Sequence, residues 1–145
     1  VVSSAILTLN NVLPDAEAAA PSAPSMAAEF DNCIIYGNAA DVSPGDLAGS
    51  GVFLRNCLLK SKGTNDDNFI DCIWEGNPKF YTVREDYLFD YRLKDGSDAI
   101  GKGNAALCPP EARYDYYGND RFATEGILDI GAYVWIPEPE EKPKQ

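Results

Sequence analysis

The sequence predicts an all-β solenoid, a parallel β-helix, and three observations carry that expectation. A short word recurs three times: FDNCIIYGN at 30–38, LRNCLLKSK at 54–62 and FIDCIWEGN at 69–77. In each, Asn or Asp precedes Cys, and two large apolar residues follow. Cys33 and Cys57 lie 24 residues apart and Cys57 and Cys72 lie 15 apart; a period of roughly 20 with short β segments is what stacked repeats show. The unequal intervals suit a coil whose turns carry insertions of varying length, and suit a rigid helical repeat poorly.

Each position of the word has a physical role in that fold. Asn32, Asn56 and Asp71 stand where the chain must bend sharply, because Asn and Asp tolerate the left-handed conformation better than most residues. Stacked turns then allow their side chains to bond along the column as amide ladders do. Cys33, Cys57 and Cys72 are expected to point inward in register. Ile34/Ile35, Leu58/Leu59 and Ile73/Trp74 continue the strands, one residue in and one out.

The four cysteines, Cys108 among them, admit two readings: buried thiols or two disulfides. In-register side chains on adjacent parallel strands sit about 4.8 Å apart, whereas a disulfide draws its Cβ atoms to about 3.8 Å. The spacing favours thiols. There is no C-x-x-C and no histidine, so no metal ligands are assigned.

Around the repeats, residues 1–10 read as a strand through Ile6, Leu7 and Leu9. Residues 14–28 hold three prolines, which deny a long helix and leave a loop with room for a helical turn. Residues 39–50 and 61–68 read as polar loops. The expected organisation is repeats with inserted loops over 1–104, a closing segment over 105–136 packed on the last repeat, and a solvated tail over 137–145. Asn10, Asn11 and Asp15 interrupt the apolar N-terminus and no basic run precedes it, so a signal peptide is not expected. The chain reads as a fragment of a longer protein.

Composition narrows the function. Among 145 residues, 23 are acidic and 12 basic, for a net charge of −11. That balance argues against nucleic acid, anionic membranes and polyanionic glycans. The absence of histidine removes Ser–His and Cys–His nucleophile pairs and His-ligated zinc. No apolar run is long enough for membrane insertion. These absences lower the expectation of catalysis by this chain and leave the question open.

The N-C-apolar-apolar turns resemble those of right-handed, single-stranded parallel β-helix proteins of the pectate-lyase-like type. LKDGSDAIGKGN (93–104), DYYGNDR (115–121) and DIGAY (129–133) resemble the ending of Bacteroides-type bacterial surface β-helices with a choice-of-anchor C-terminal region. Asp98 stands where that family commonly has Pro, and Val134 where it commonly has Glu. The resemblance implies an extracytoplasmic protein, secreted, periplasmic or at the cell surface. It implies an architecture rather than an activity, since such folds host lyases, hydrolases, adhesins and spacers.

Several constellations are candidates. Asp115, Gly118, Arg121 and Asp129 read as a structural tie in which Arg121 pairs Asp115 or Asp129; the rival reading is a calcium site built from carboxylates. Trp74, Tyr81, Tyr116 and Tyr117, with Trp135, could stack on pyranose rings or cap the core, and Trp74 is the foremost binding candidate among them. Asp66-Asp67 reads as a polar turn rather than a catalytic pair, and Arg55 with Lys60 as a faint lyase-like pair. The expected function is a non-catalytic structural or glycan-recognition part of a surface protein. The alternatives are a fragment of a carbohydrate-active enzyme with catalytic residues upstream, and an adhesion or assembly module that oligomerises by end-stacking.

Overall fold

The computed structural model describes residues 7–9, 27–37, 42–44, 47–85, 88–124 and 126–139. The expected loop at 14–28 and tail at 137–145 lie largely outside these residues. Among them, β1 (Leu7–Leu9) pairs in parallel with β4 (Val42–Pro44). Strands β2 (Ala27–Asp31), β5 (Gly51–Arg55) and β7 (Phe69–Ile70) form a three-stranded parallel sheet in the order β2-β5-β7. Strand β3 (Ile34–Ile35) pairs in parallel with β6 (Leu58–Leu59), and Leu58 bridges Ile73. Strands β8 (Phe80–Glu85) and β9 (Leu88–Leu93) form an antiparallel hairpin.

This corrects the expected right-handed single-stranded parallel β-helix. The described residues form several small sheets, some parallel and one antiparallel, that do not curl into a solenoid. Two features explain the difference. The three repeats contribute strands of only two to five residues, and the repeat stops at residue 77. The hairpin and a loop-rich segment with two 3-10 turns, Ala105–Leu107 and Pro110–Ala112, take its place. The loop expected at 39–50 also contains a strand, β4, which ends on Pro44, a residue tolerated at strand ends and edges.

Within the repeats, equivalent residues lie side by side. Asp31 pairs with Arg55 and Arg55 with Ile70, and Ile34 pairs with Leu58. Asn32, Asn56 and Asp71 bend the chain after β2, β5 and β7 with φ of 53°, 49° and 51°. The amide ladder expected between them is replaced by bonds to another segment. The Asn32 amide donates to the Asn104 carbonyl at 3.0 Å and its oxygen accepts from Asn104 N–H at 2.7 Å, while the Asn56 amide donates to the Lys102 carbonyl at 3.4 Å. The carbonyls of Asn104 and Lys102 thus receive the side-chain amides of the first two bends.

Two cores flank the short β3–β6 sheet. Leu59 joins Leu47, Val52, Leu54, Cys57, Phe69 and Cys72 inside the repeats. Leu58 faces the other way, into a core with Leu93, Ala99 and Ile130, against which Ile34, Ile73 and Phe80 pack. Both leucines are fully buried, so the position expected to face outward is covered by the C-terminal half. Each buried leucine contributes about 1.5–3 kcal/mol of hydrophobic stabilisation.

The closing segment lies along the side of the repeats. Ile130 N–H donates to Ala99 O at 2.9 Å, and Gly131 N–H to Asn32 O at 2.8 Å, reaching the first repeat. Gly131 has φ +105° and a Cβ there would come within 2.7 Å of the Ile34 side chain, so only glycine fits this approach.

Candidate functional site

The hairpin and the 115–119 turn bring together three of the five aromatic residues singled out above, Tyr81, Tyr116 and Tyr117. Phe80 and Leu93 pair across the hairpin on its core side. A register shift separates the Phe80–Leu93 pair from the Thr82–Asp90 pair, and Tyr81 and Arg92 meet within that irregular stretch. The Arg92 guanidinium lies 5.2 Å from the centre of the Tyr81 ring and 5.3 Å from that of Tyr117. Lys94 Nζ lies 5.4 Å from the Tyr81 ring.

Asp90 fixes the orientation of Arg92. Arg92 Nε donates to Asp90 Oδ1 at 3.0 Å and Nη2 to Oδ2 at 2.6 Å, the two-pronged geometry that suits guanidinium and carboxylate. The Arg92 hydrogen bonds hold the Asp90 carboxyl below its ordinary range. Burial pushes the Tyr81 phenol up, and Glu138 adds to the shift. Tyr81 is therefore neutral, and a hydrogen-bond donor, at physiological pH.

The second half of the surface is a turn built by Asp115. Its Oδ1 accepts from the N–H groups of Tyr117 and Asn119, both at 2.9 Å, and its Oδ2 accepts from the Asn119 amide at 2.9 Å. Gly118 N–H closes the turn on Asp115 O at 3.0 Å with a φ of +82° that favours glycine. Burial pushes the Asp115 carboxyl up, but the Asn119 side chain and the surrounding backbone N–H groups outweigh it and leave the group below its ordinary value. The turn holds Tyr116 85% and Tyr117 58% exposed. Their rings meet edge to face at 5.4 Å, and Tyr117 lies 5.7 Å from Tyr133. The result is a strip of Tyr116, Tyr117, Tyr133 and Tyr81 with Arg92 at its centre.

Trp74 is not part of this strip. It packs on Phe69 at 4.9 Å, covers Gly63, and donates its indole N–H to Asn65 Oδ1 at 3.0 Å. Trp135 also serves the fold: its N–H donates to Asp129 Oδ2 at 2.7 Å and its indole to Asp95 at 2.9 Å. Asp129 accepts from Gly101 N–H through its other oxygen, also at 2.7 Å, and so ties residue 101 to residue 135.

Arg121 does not pair with Asp115 or Asp129. Its Nη1 donates to Ala112 O at 3.0 Å and lies 3.7 Å from Cys108 Sγ, and its Nη2 donates to Gly131 O at 2.8 Å. Both carboxylates are already satisfied by backbone N–H groups, which leaves carbonyls to hold the guanidinium. Arg55 is committed to Asp31 and Glu29, and Lys60 donates to Gly37 O at 2.6 Å, so neither forms a catalytic pair. Asp66 Oδ1 accepts from Asn68 and Phe69 N–H groups and makes a turn.

All four cysteines are free thiols. Cys33, Cys57 and Cys72 donate to the carbonyls of Asp31, Phe30 and Leu54 at 3.2, 3.1 and 3.2 Å. Contact with the neighbouring thiols Cys33 and Cys72, together with burial, pushes Cys57 up, whereas the Cys57 thiol lowers Cys33 and Cys72 against the effect of burial. Among the described residues no group of three or more Cys, Asp or Glu side chains is placed to hold a metal ion, and no helix is long and apolar enough to cross a membrane.

Sequence reasoning missed Arg92, Asp90 and Tyr133. The triplet Asp90-Tyr91-Arg92 was a signal for a locally paired arginine, but its place beside Tyr81 and Tyr117 depends on the hairpin. Comparison with protein-family models, with curated proteins and with solved structures finds no match in any of the three.

Proposed function

We propose that this chain is a non-catalytic carbohydrate-recognition module that meets a polysaccharide outside the cytoplasm. The observation that carries this reading is the tyrosine strip, with Tyr116 and Tyr117 exposed and Tyr81 and Tyr133 half-buried, and with the Arg92–Asp90 pair at its centre. Aromatic faces offer the C–H faces of a pyranose a flat apolar surface, while a rigid guanidinium–carboxylate pair offers donors and acceptors to its hydroxyls. The rings are held by a hairpin and a turn, so little conformational entropy is lost on binding. The charge of −11 favours a neutral glycan over a polyanionic one.

The test is a glycan array probed with the wild-type chain and with Tyr116→Ala/Tyr117→Ala. Wild-type binding to a set of neutral oligosaccharides, lost in the double variant, supports the reading. No binding to any carbohydrate, or equal binding by both proteins, overturns it.

A further inference from the structure

A second site lies apart from the arginine at the centre of the tyrosine strip. A groove of about 670 Å³ opens between the first repeat, the hairpin and the closing segment, within the size range of small-molecule pockets. Its walls are mainly apolar, with Ile34, Phe80, Tyr91, Leu93 and Ile130 among them. Arg121 also lines it.

The surroundings of this arginine differ from those of Arg55, Arg92 and Arg113. Arg55, Arg92 and Arg113 each face a carboxylate within 3.1 Å. Arg121 is more buried than any of them, at 9% exposure, yet makes no salt bridge among the described residues; its partners there are two carbonyls and a thiol. A buried cation without an anion is costly, and it persists here in a chain with almost twice as many acidic as basic residues. Asp31 also lines the groove but is neutralised by Arg55, whose Nε and Nη2 reach its two oxygens at 2.6 and 2.7 Å. Asp31 therefore does not oppose an incoming anion with a free charge.

We infer that the groove binds a small carboxylic acid with an apolar or aromatic body, its carboxylate set against Arg121 and its body against Ile34, Phe80, Tyr91 and Ile130. The apolar walls reward burial of the body, and the guanidinium supplies the charge-assisted contact that fixes its direction. This inference does not rest on the carbohydrate-binding reading, although Tyr133 lines the groove as well as the strip.

The test titrates isotopically labelled chain with 3-phenylpropionate and with its neutral amide, followed by backbone NMR. The acid is expected to shift the amide signals of Cys108, Ala112, Ile130 and Gly131 and to bind about tenfold more tightly than the amide, as loss of a hydrogen bond to a charged group predicts. Arg121→Lys, which keeps the charge but loses the planar fork, is expected to weaken the acid and not the amide. Because Arg121 also ties the closing segment, Tyr91→Ala supplies a second variant: its ring is 48% exposed, and its loss is expected to weaken both compounds with the fold intact. Equal affinity for acid and amide would overturn the inference. So would shifts confined to other residues, or no shift at about 10 mM, where even a millimolar Kd is largely saturated.

Discussion

Asn32 and Asn104 exchange two hydrogen bonds across 72 residues of chain: the side-chain amide of Asn32 donates to the Asn104 carbonyl at 3.0 Å and accepts from the Asn104 N–H at 2.7 Å. Asn32 is buried and holds φ at 53°, so one residue both turns the chain after β2 and anchors the C-terminal half to the first repeat. Asn32→Ala is expected to destabilise the fold by about 3–4 kcal/mol, from two hydrogen bonds at about 1 kcal/mol each and about 1–2 kcal/mol of left-handed backbone strain. Asn32→Gly removes the strain but not the lost bonds, and should cost about 1 kcal/mol less. Urea denaturation measures both; a loss under about 0.5 kcal/mol for Asn32→Ala, the size of a neutral surface change, would contradict the anchoring role.

That pair also shows how far the sequence could be read. The bends were legible because Asn or Asp before Cys recurs at 32, 56 and 71, and the side-by-side register of the repeats followed from the same word. The target of the Asn32 amide was not legible, because nothing near Asn104 marks it as a neighbour. The antiparallel hairpin was hidden for a local reason: Phe80–Glu85 and Leu88–Leu93 are joined by Asp-Tyr, not by the Asn-Gly or Asp-Gly of a two-residue hairpin turn. Without the hairpin, Tyr81 had no relation to Tyr117, and Trp74 stood ahead of both as a binding candidate. The Gly63 that receives the Trp74 ring and the Asn65 that bonds its indole lie in a loop whose composition says only that it turns.

Thiol chemistry separates the cysteines. Cys57 and Cys72 are buried, while Cys33 and Cys108 are partly exposed, and Cys33 has its pKa lowered to about 7 beside Cys57. Iodoacetamide added to the native chain at neutral pH should alkylate Cys33 and Cys108 well before the other two, as read by peptide mass spectrometry. In denaturant all four should react alike. Native labelling of Cys57 as fast as Cys33 would contradict the stacked arrangement.

Acid should loosen the 115–119 turn. The folded Asp115 carboxyl lies below its ordinary value of 3.8, so its contribution to stability is complete above that pH and is lost as the pH falls through the folded value. Wild-type denaturation midpoints should therefore drop on going from pH 7 to below pH 4. Asp115→Asn should lower the midpoint at pH 7 and shrink the acid-induced drop; an unaltered drop would assign the acid sensitivity to other carboxylates.

The most direct test of the account is to map, by backbone NMR, where a neutral oligosaccharide selected on the array contacts the chain. The account predicts shifts clustered at Tyr81, Arg92, Tyr116, Tyr117 and Tyr133, with Trp74 and Asn65 unmoved. Shifts centred on Trp74, or spread along the repeats with none in the tyrosine strip, would contradict it.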